Sequence, residues 1–172
     1  MAFDILEREQ LTHVNPKKQG RLAELSNMSV IKYSRVAFSK GALSTRIGRC
    51  GFDFISPGAL KFSIPKRNRK TEKTIPMVLF YDMSVRMALK ELGEIGVSGA
   101  SIDSLLALME HFKRCGLVDD TNHAYIAPGS SKNNVAPVSM RDSEERLLLK
   151  TVPMGEVIRG PFWVLVTHHA PE

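Results

Sequence analysis

Cysteine is scarce in this chain, and the long apolar segments that cross membranes are missing. The 172 residues include only two cysteines, Cys50 and Cys115, too few for the disulfide framework of a small secreted protein. There is no run of about 18 apolar residues. No basic stretch leads into an apolar signal core at the start of the sequence. We therefore expect a cytoplasmic or nuclear protein that is not secreted, has no transmembrane segment and keeps both thiols free.

The sequence also lacks the short motifs that hold phosphates or activate nucleophiles. It has no Gly-x-Gly-x-x-Gly or Walker-type loop and no Gly-x-Ser-x-Gly elbow. None of its five histidines has a partner at a metal-ligand spacing. His111 and Cys115 are four residues apart on a predicted helix, but the apolar neighbours predict a packed, unreactive thiol. These absences predict a non-enzymatic protein with no metal and no cofactor; an active site built from scattered residues remains the alternative.

Acidic residues are absent from one long stretch, between Leu25 and Phe52. Over residues 25–73 there are eleven basic residues against Asp53 and Glu72, a local net charge of +9 in a chain whose total is +6. Such lopsided charge indicates an acidic partner more than it indicates a fold. The candidate residues for binding nucleic acid or another anionic surface are Lys32, Arg35, Lys40, Arg46, Arg49, Lys66, Arg67, Arg69, Lys70 and Lys73.

The pattern of apolar and polar residues along the chain predicts a single α+β domain over residues 29–172, after a polar and partly flexible lead-in over residues 1–28. We expect a mainly antiparallel sheet with two principal helices packed on it, at about 84–95 and 101–115. The second helix is the clearest, because Ser101 can cap it and Gly116 suits the left-handed position that ends it. Ser84 or Asp82 can cap the first.

Several segments have the alternation or the continuous apolar character of strands. Leu60, Phe62 and Ile64 alternate with polar residues and lead through a basic loop to the apolar run Met77–Tyr81, which predicts a hairpin with a long basic tip. A change of parity near Ser34 and Arg35 predicts a bulge. Further strands are expected at His123–Ala127, Leu147–Val152 and Phe162–Thr167, with a flexible loop over residues 128–137. The last strand has no polar face, so it is either central in the sheet or covered by a partner.

Residues 84–127 resemble the core of a winged-helix module. The order is a short helix from Val85 to Leu92, then Val97-Ser98, a longer helix ending at Gly116-Leu117-Val118, polar residues and a strand. Many transcription factors of that superfamily have this pattern. The resemblance implies a DNA-binding regulator that reads the major groove with its second helix. Two helices packed on a sheet explain the same pattern.

Three functions are compatible with these features. The first is a non-enzymatic protein that binds nucleic acid, RNA included, or nucleoprotein electrostatically through one basic face. The second is an assembly protein that self-associates and bridges a nucleoprotein to an anionic membrane. For this second function the chain is similar in size, basic character and lack of catalytic motifs to the small matrix proteins of enveloped negative-strand RNA viruses. The third is the winged-helix regulator.

Overall fold

The computed structural model describes residues 30–65, 71–116 and 123–168. Its helices are α1 (Leu43–Cys50), α2 (Val85–Glu94) and α3 (Ile102–Cys115), with 3-10 turns at Ala59–Lys61 and Pro128–Ser130. Its strands are β1 (Ile31–Phe38), β2 (Phe54–Ile55), β3 (Thr71–Ser84), β4 (Val97–Gly99), β5 (Ala124–Ile126), β6 (Val135–Arg141), β7 (Leu147–Pro153) and β8 (Val157–His168).

All these strands belong to one eight-stranded sheet in the order β1-β3-β8-β5-β6-β7-β2, with β4 also paired to β8. The sheet is mixed, because β5 runs parallel to β8 and β2 runs parallel to β7. The α+β class is therefore confirmed, whereas the expectation of a mainly antiparallel sheet with two helices is corrected, for the described residues, to a mixed sheet with three helices. Both parallel pairs join strands that are far apart in the sequence, because parallel neighbours cannot be connected by a tight turn.

The central strands β3 and β8 are covered on both faces. Met77 and Leu79 pack in a core with α1 and α3, whereas Val78 and Phe80 pack in a separate core with α2. Because successive side chains of a strand point to opposite faces, the helices lie on opposite sides: an α1/α3 face and an α2 face. Phe162 to Val166 are all buried, which confirms that this apolar run is central in the sheet. The helices α2 and α3 are therefore not the adjacent pair that the winged-helix resemblance implies.

The predicted hairpin is wrong on its first strand. Leu60 belongs to a 3-10 turn and is 53% exposed, and Phe62 and Ile64 lie outside any strand. The strand β3 pairs instead with β1 and β8, both antiparallel. Alternation over five residues did not distinguish a strand from a turn followed by extended chain.

The predicted bulge near Ser34 and Arg35 is also wrong, because β1 pairs with β3 in unbroken register from Ile31 to Phe38. Ile31 and Tyr33 pack on the α2 core, and Val36 and Phe38 on the α1/α3 core. A strand covered on both faces can therefore change its apolar parity without inserting a residue.

The helix ends were predicted more accurately than the sheet. Ser84 Oγ accepts a hydrogen bond from Met87 N at 3.2 Å and so caps α2. Gly116 ends α3 in the left-handed conformation, and its N–H donates to carbonyls of the last turn. At the start of α3, however, Ser101 makes no side-chain cap; Ser130 Oγ accepts from Ile102 N at 2.8 Å instead. No helix in the described residues has the length and apolar character needed to cross a membrane.

Candidate functional site

Six of the ten candidate basic residues lie in the described part of the chain. The other four, Lys66, Arg67, Arg69 and Lys70, lie outside the described residues. Of the six, Arg35, Lys40, Arg49 and Lys73 are exposed, Lys32 is half-buried and Arg46 is buried. The structure therefore divides the predicted site into surface cations and one core cation.

Arg46 is a core residue and does not belong to the basic surface. It is 1% exposed, on the inner side of α1, and its Nη1 forms an ion pair with the equally buried Asp103 of α3. Its Nη2 donates to the Asp103 carbonyl at 3.2 Å. A guanidinium is tolerated inside a protein only when paired and hydrogen-bonded. The opposite charge that stabilises Arg46 is 57 residues away in the sequence, so charge counting could not predict its burial.

Lys32 and Lys73 lie on the α1/α3 face of the sheet. The Lys32 Nζ is 4.8 Å from the centroid of the Trp163 ring, and the Lys73 Nζ is 5.7 Å from the Phe38 ring. Both rings belong to the α1/α3 core. The ammonium groups are held over aromatic faces, which is a favourable cation–π geometry, and their stems cover apolar surface.

Arg35 lies on the other side of the strand. Its parity places it with Ile31 and Tyr33, and its Nη2 is 2.9 Å from Glu72 Oε2. Both side chains are largely exposed, at 62% and 58%, so the pair is worth about 0–1 kcal/mol. Glu72, the acid that pairs with Arg35, is one of the two acids in the charge count over residues 25–73.

Exposed cations also lie around α1, at Lys40 and Arg49. Arg49 Nη1 donates to the Lys40 carbonyl at 2.7 Å, which ties the last turn of α1 to the segment before it. Ser39 Oγ donates to Glu110 Oε1 at 2.7 Å and joins this segment to α3. The stem of Lys113 lies directly over Gly51, the residue that ends α1 in the left-handed conformation. The C-terminal ends of α1 and α3 therefore lie side by side.

This arrangement adds two cations that sequence reasoning missed. Lys113 and Arg114 are exposed in the last turn of α3, where cations complement the helix dipole. They appeared in the sequence only as a helix-stop signal, outside the basic half of the chain. We call Lys32, Lys40, Arg49, Lys73, Lys113 and Arg114 together the basic side of the protein.

The two thiols differ in environment. Cys50 is buried, its Sγ donates to the Arg46 and Leu106 carbonyls, and burial raises its pKa to about 12. It is therefore protonated and unreactive at neutral pH. Cys115 is exposed, with its Sγ 3.7 Å from His111 Nδ1. Burial, and secondarily the nearby Arg114, lower the pKa of His111.

In the described ranges, no cluster of three His, Cys, Asp or Glu side chains is arranged to hold a metal ion. The chain matches no protein-family model, no curated protein and no solved structure.

Proposed function

We propose that the protein is a non-enzymatic nucleic-acid-binding protein that engages phosphates electrostatically through its basic side. The supporting observation is that exposed cations from three segments lie at the adjoining ends of α1 and α3. Arg49 donates a hydrogen bond to the Lys40 carbonyl, and Arg114 follows Lys113, whose stem covers Gly51 at the end of α1. Single-stranded RNA is the probe chosen for the test, since phosphate contacts give affinity without requiring a groove-reading helix.

Two acids of α3 lie on this side, and one of them is neutralised within the protein. Asp103 is paired with the buried Arg46. Glu110 is half-buried and accepts the Ser39 hydroxyl, which leaves its negative charge in place. The exposed cations around α1 and α3 outnumber this one acid, and a surface with an excess of cations attracts phosphates and releases their counterions on binding.

The test is the salt dependence of RNA binding for two matched triple variants. One replaces Lys40, Arg49 and Arg114 by Gln. The other replaces three cations located elsewhere, Lys90, Lys132 and Arg159, by Gln, so that both variants have the same reduction in charge. Fluorescence anisotropy with a single-stranded RNA is measured between about 50 and 200 mM salt, where phosphate-binding proteins show a steep decrease in affinity.

The proposal expects the first triple variant to lower the slope of log K against log salt by up to about 2, at roughly 0.7 for each phosphate that the protein no longer neutralises. The second triple variant should change the slope much less. Equal changes in both variants would mean that only net charge matters and would reject the basic side as the site. Binding that does not weaken with salt would reject the proposal itself.

The same variants test the matrix-type alternative. Flotation with liposomes that contain an anionic lipid measures whether the basic side binds a membrane instead. Liposome binding that the first triple variant abolishes, without RNA binding by the unmodified protein, would replace RNA by anionic lipid as the partner.

A further inference from the structure

A cavity of about 290 Å³ opens beside the C-terminal ends of α1 and α3. Its walls come from both helices, from β5 and from the neighbouring ends of β6 and β7. The lining includes Asp53, Phe112, Lys113, His123, Arg141 and Leu147. The volume is at the lower end of the roughly 300–1,000 Å³ typical of small-molecule sites.

Two nitrogen atoms of the lining side chains are buried without a partner. His123 Nδ1 and Arg141 Nε form no hydrogen bond with any described residue. The guanidinium is nevertheless held in place, since Arg141 Nη1 donates to the Glu145 carbonyl at 2.8 Å. Arg141 Nε is a donor, and His123 Nδ1 donates or accepts according to the tautomer. A buried polar nitrogen of either kind without a partner is unfavourable, and native proteins contain few of them. Two residues of one cavity wall thus carry nitrogens whose hydrogen-bonding capacity is unused within the described part of the chain.

The charges of the lining favour an acceptor that is negative. Lys113 and Arg141 are cationic, and Asp53 is the only acid among the lining residues that the structure describes. Asp53 Oδ2 accepts a hydrogen bond from Leu147 N at 2.8 Å, so this carboxylate is fixed by the backbone of β7. A guanidinium and an ammonium beside unpartnered nitrogens suit a carboxylate or phosphate oxygen.

The rest of the lining is apolar and aromatic. The rings of Phe112 and Tyr125 meet edge to face with centroids 5.7 Å apart. Met109 and Leu147 complete this part of the wall, and Met109 Sδ accepts a hydrogen bond from Ser139 Oγ at 3.1 Å. Such a wall suits the carbon skeleton of a ligand.

We propose that this cavity is a binding site for a small ligand in which an oxyanion, carboxylate or phosphate, is attached to an aromatic or apolar body. The oxyanion binds to Arg141, Lys113 and His123, and the body packs against Phe112 and Leu147. This site shares Lys113 with the basic side, but the triple variant that tests RNA binding leaves all of the cavity residues unchanged, so the two proposals fail separately.

The experiment titrates the protein with benzoate and with phenyl phosphate, and follows backbone amide shifts by NMR. Phenol and inorganic phosphate are the controls that carry only one half of the recognised group. At least one of the two aromatic anions should saturate with a Kd in the millimolar range or tighter, and whichever binds identifies the head group. Phenol and inorganic phosphate should each bind at least about tenfold more weakly.

Three substitutions in the cavity wall and one control outside it test how charge at each position changes the affinity for the anion. Arg141→Gln and Lys113→Gln should each weaken binding, Arg141→Gln by about tenfold or more. Asp53→Asn should tighten binding severalfold, because it removes a negative charge while the amide oxygen still accepts from Leu147 N. Arg159→Gln, which removes a cation away from the cavity, should leave the Kd within about twofold.

Opposite effects of Arg141→Gln and Asp53→Asn distinguish ligand binding from structural damage, which would weaken binding in both. Because Arg141 also anchors the turn between β6 and β7, Lys113→Gln provides the second test, at an exposed helical position. Failure of both aromatic anions to saturate, or equal weakening by Arg159→Gln and Lys113→Gln, would overturn the proposal.

Discussion

The two faces of the sheet are stabilised differently. The α2 face packs Val85, Ala88 and Leu92 against β3 and β8 in an apolar core. The α1/α3 face has an apolar core as well, but polar groups cross it. Of the five buried polar residues among those described, four are on this side: Arg46, Asp103, Ser104 and Ser139. The fifth, Ser84, caps α2.

The buried ion pair on the α1/α3 face also affects which charges remain on the surface. Hydrophobic contact is non-directional, so the α2 face does not depend on any one polar pair. The α1/α3 face uses an ion pair that fixes how α1 lies on α3, and this pairing removes Asp103 from the surface. The same arrangement that fixes α1 on α3 therefore keeps one acid away from the exposed cations around α1.

The largest expected effect comes from breaking the buried ion pair. Arg46→Met leaves Asp103 buried without its cation and should lower the free energy of unfolding by about 3–5 kcal/mol, measured by urea denaturation. The double variant Arg46→Met/Asp103→Leu should recover most of this stability, because two apolar side chains replace both charges.

The matched control is the exposed ion pair. Arg35→Gln breaks the Arg35–Glu72 pair and should cost no more than about 1 kcal/mol. If Arg46→Met lowers the free energy of unfolding as little as Arg35→Gln does, the buried ion pair does not make the α1/α3 face different from the α2 face.

On the α2 face, the corresponding variant is Leu92→Ala. Leu92 is fully buried, so its truncation should cost about 3 kcal/mol, within the range of roughly 2–5 kcal/mol for buried leucine. Met87 is on the same helix and 50% exposed, and Met87→Ala should have little effect on the urea midpoint. Similar shifts for the two variants would mean that α2 is not packed as described.

The sequence predicted the features that depend on nearby residues. The ends of α3 at Gly116 and of α2 at Ser84, and the central position of the run Phe162 to Val166, follow from local chemistry and continuous apolar character. The helix α1 was missed because it has only eight residues, although Leu43, Ile47 and Cys50 recur at helical spacing. A short amphipathic helix within a basic stretch gives a weak periodic signal.

The candidate site was harder to predict because it depends on long-range partners. Nothing near Arg46 in the sequence indicates Asp103, and nothing near Arg49 indicates Lys113 and Arg114. Charge counting along the chain showed that residues 25–73 have a positive net charge. Only the docking of α1 on α3 determines which of these cations reach the surface together. The parallel pairing of β5 with β8 was beyond the sequence for the same reason.

Helix capping gives a smaller difference between the faces. On the α2 face the cap is local, and Ser84→Ala should cost about 1 kcal/mol. On the α1/α3 face the first turn of α3 is capped from a distance by Ser130. There, Ser130→Ala should destabilise the protein and Ser101→Ala should do so much less, as measured by urea unfolding. The reverse order would contradict the assigned cap.

The smallest expected effect is a pH dependence at the C-terminal end of α3. Burial and Arg114 lower the pKa of His111, so the unfolded chain binds a proton at this residue more readily than the folded protein does. The contribution to stability is therefore fully present above the ordinary histidine pKa, and it is lost as the pH falls from there towards the lowered value.

His111→Gln should accordingly flatten the fall in stability between about pH 7.5 and 5.5, measured as urea midpoints at both pH values. Cys115→Ser leaves His111 in place and is the control, because the thiol is the group 3.7 Å from the ring. If His111→Gln leaves the pH profile unchanged, the imidazole is not desolvated against α3. If Cys115→Ser flattens the profile equally, the nearby thiol rather than burial lowers the pKa of His111.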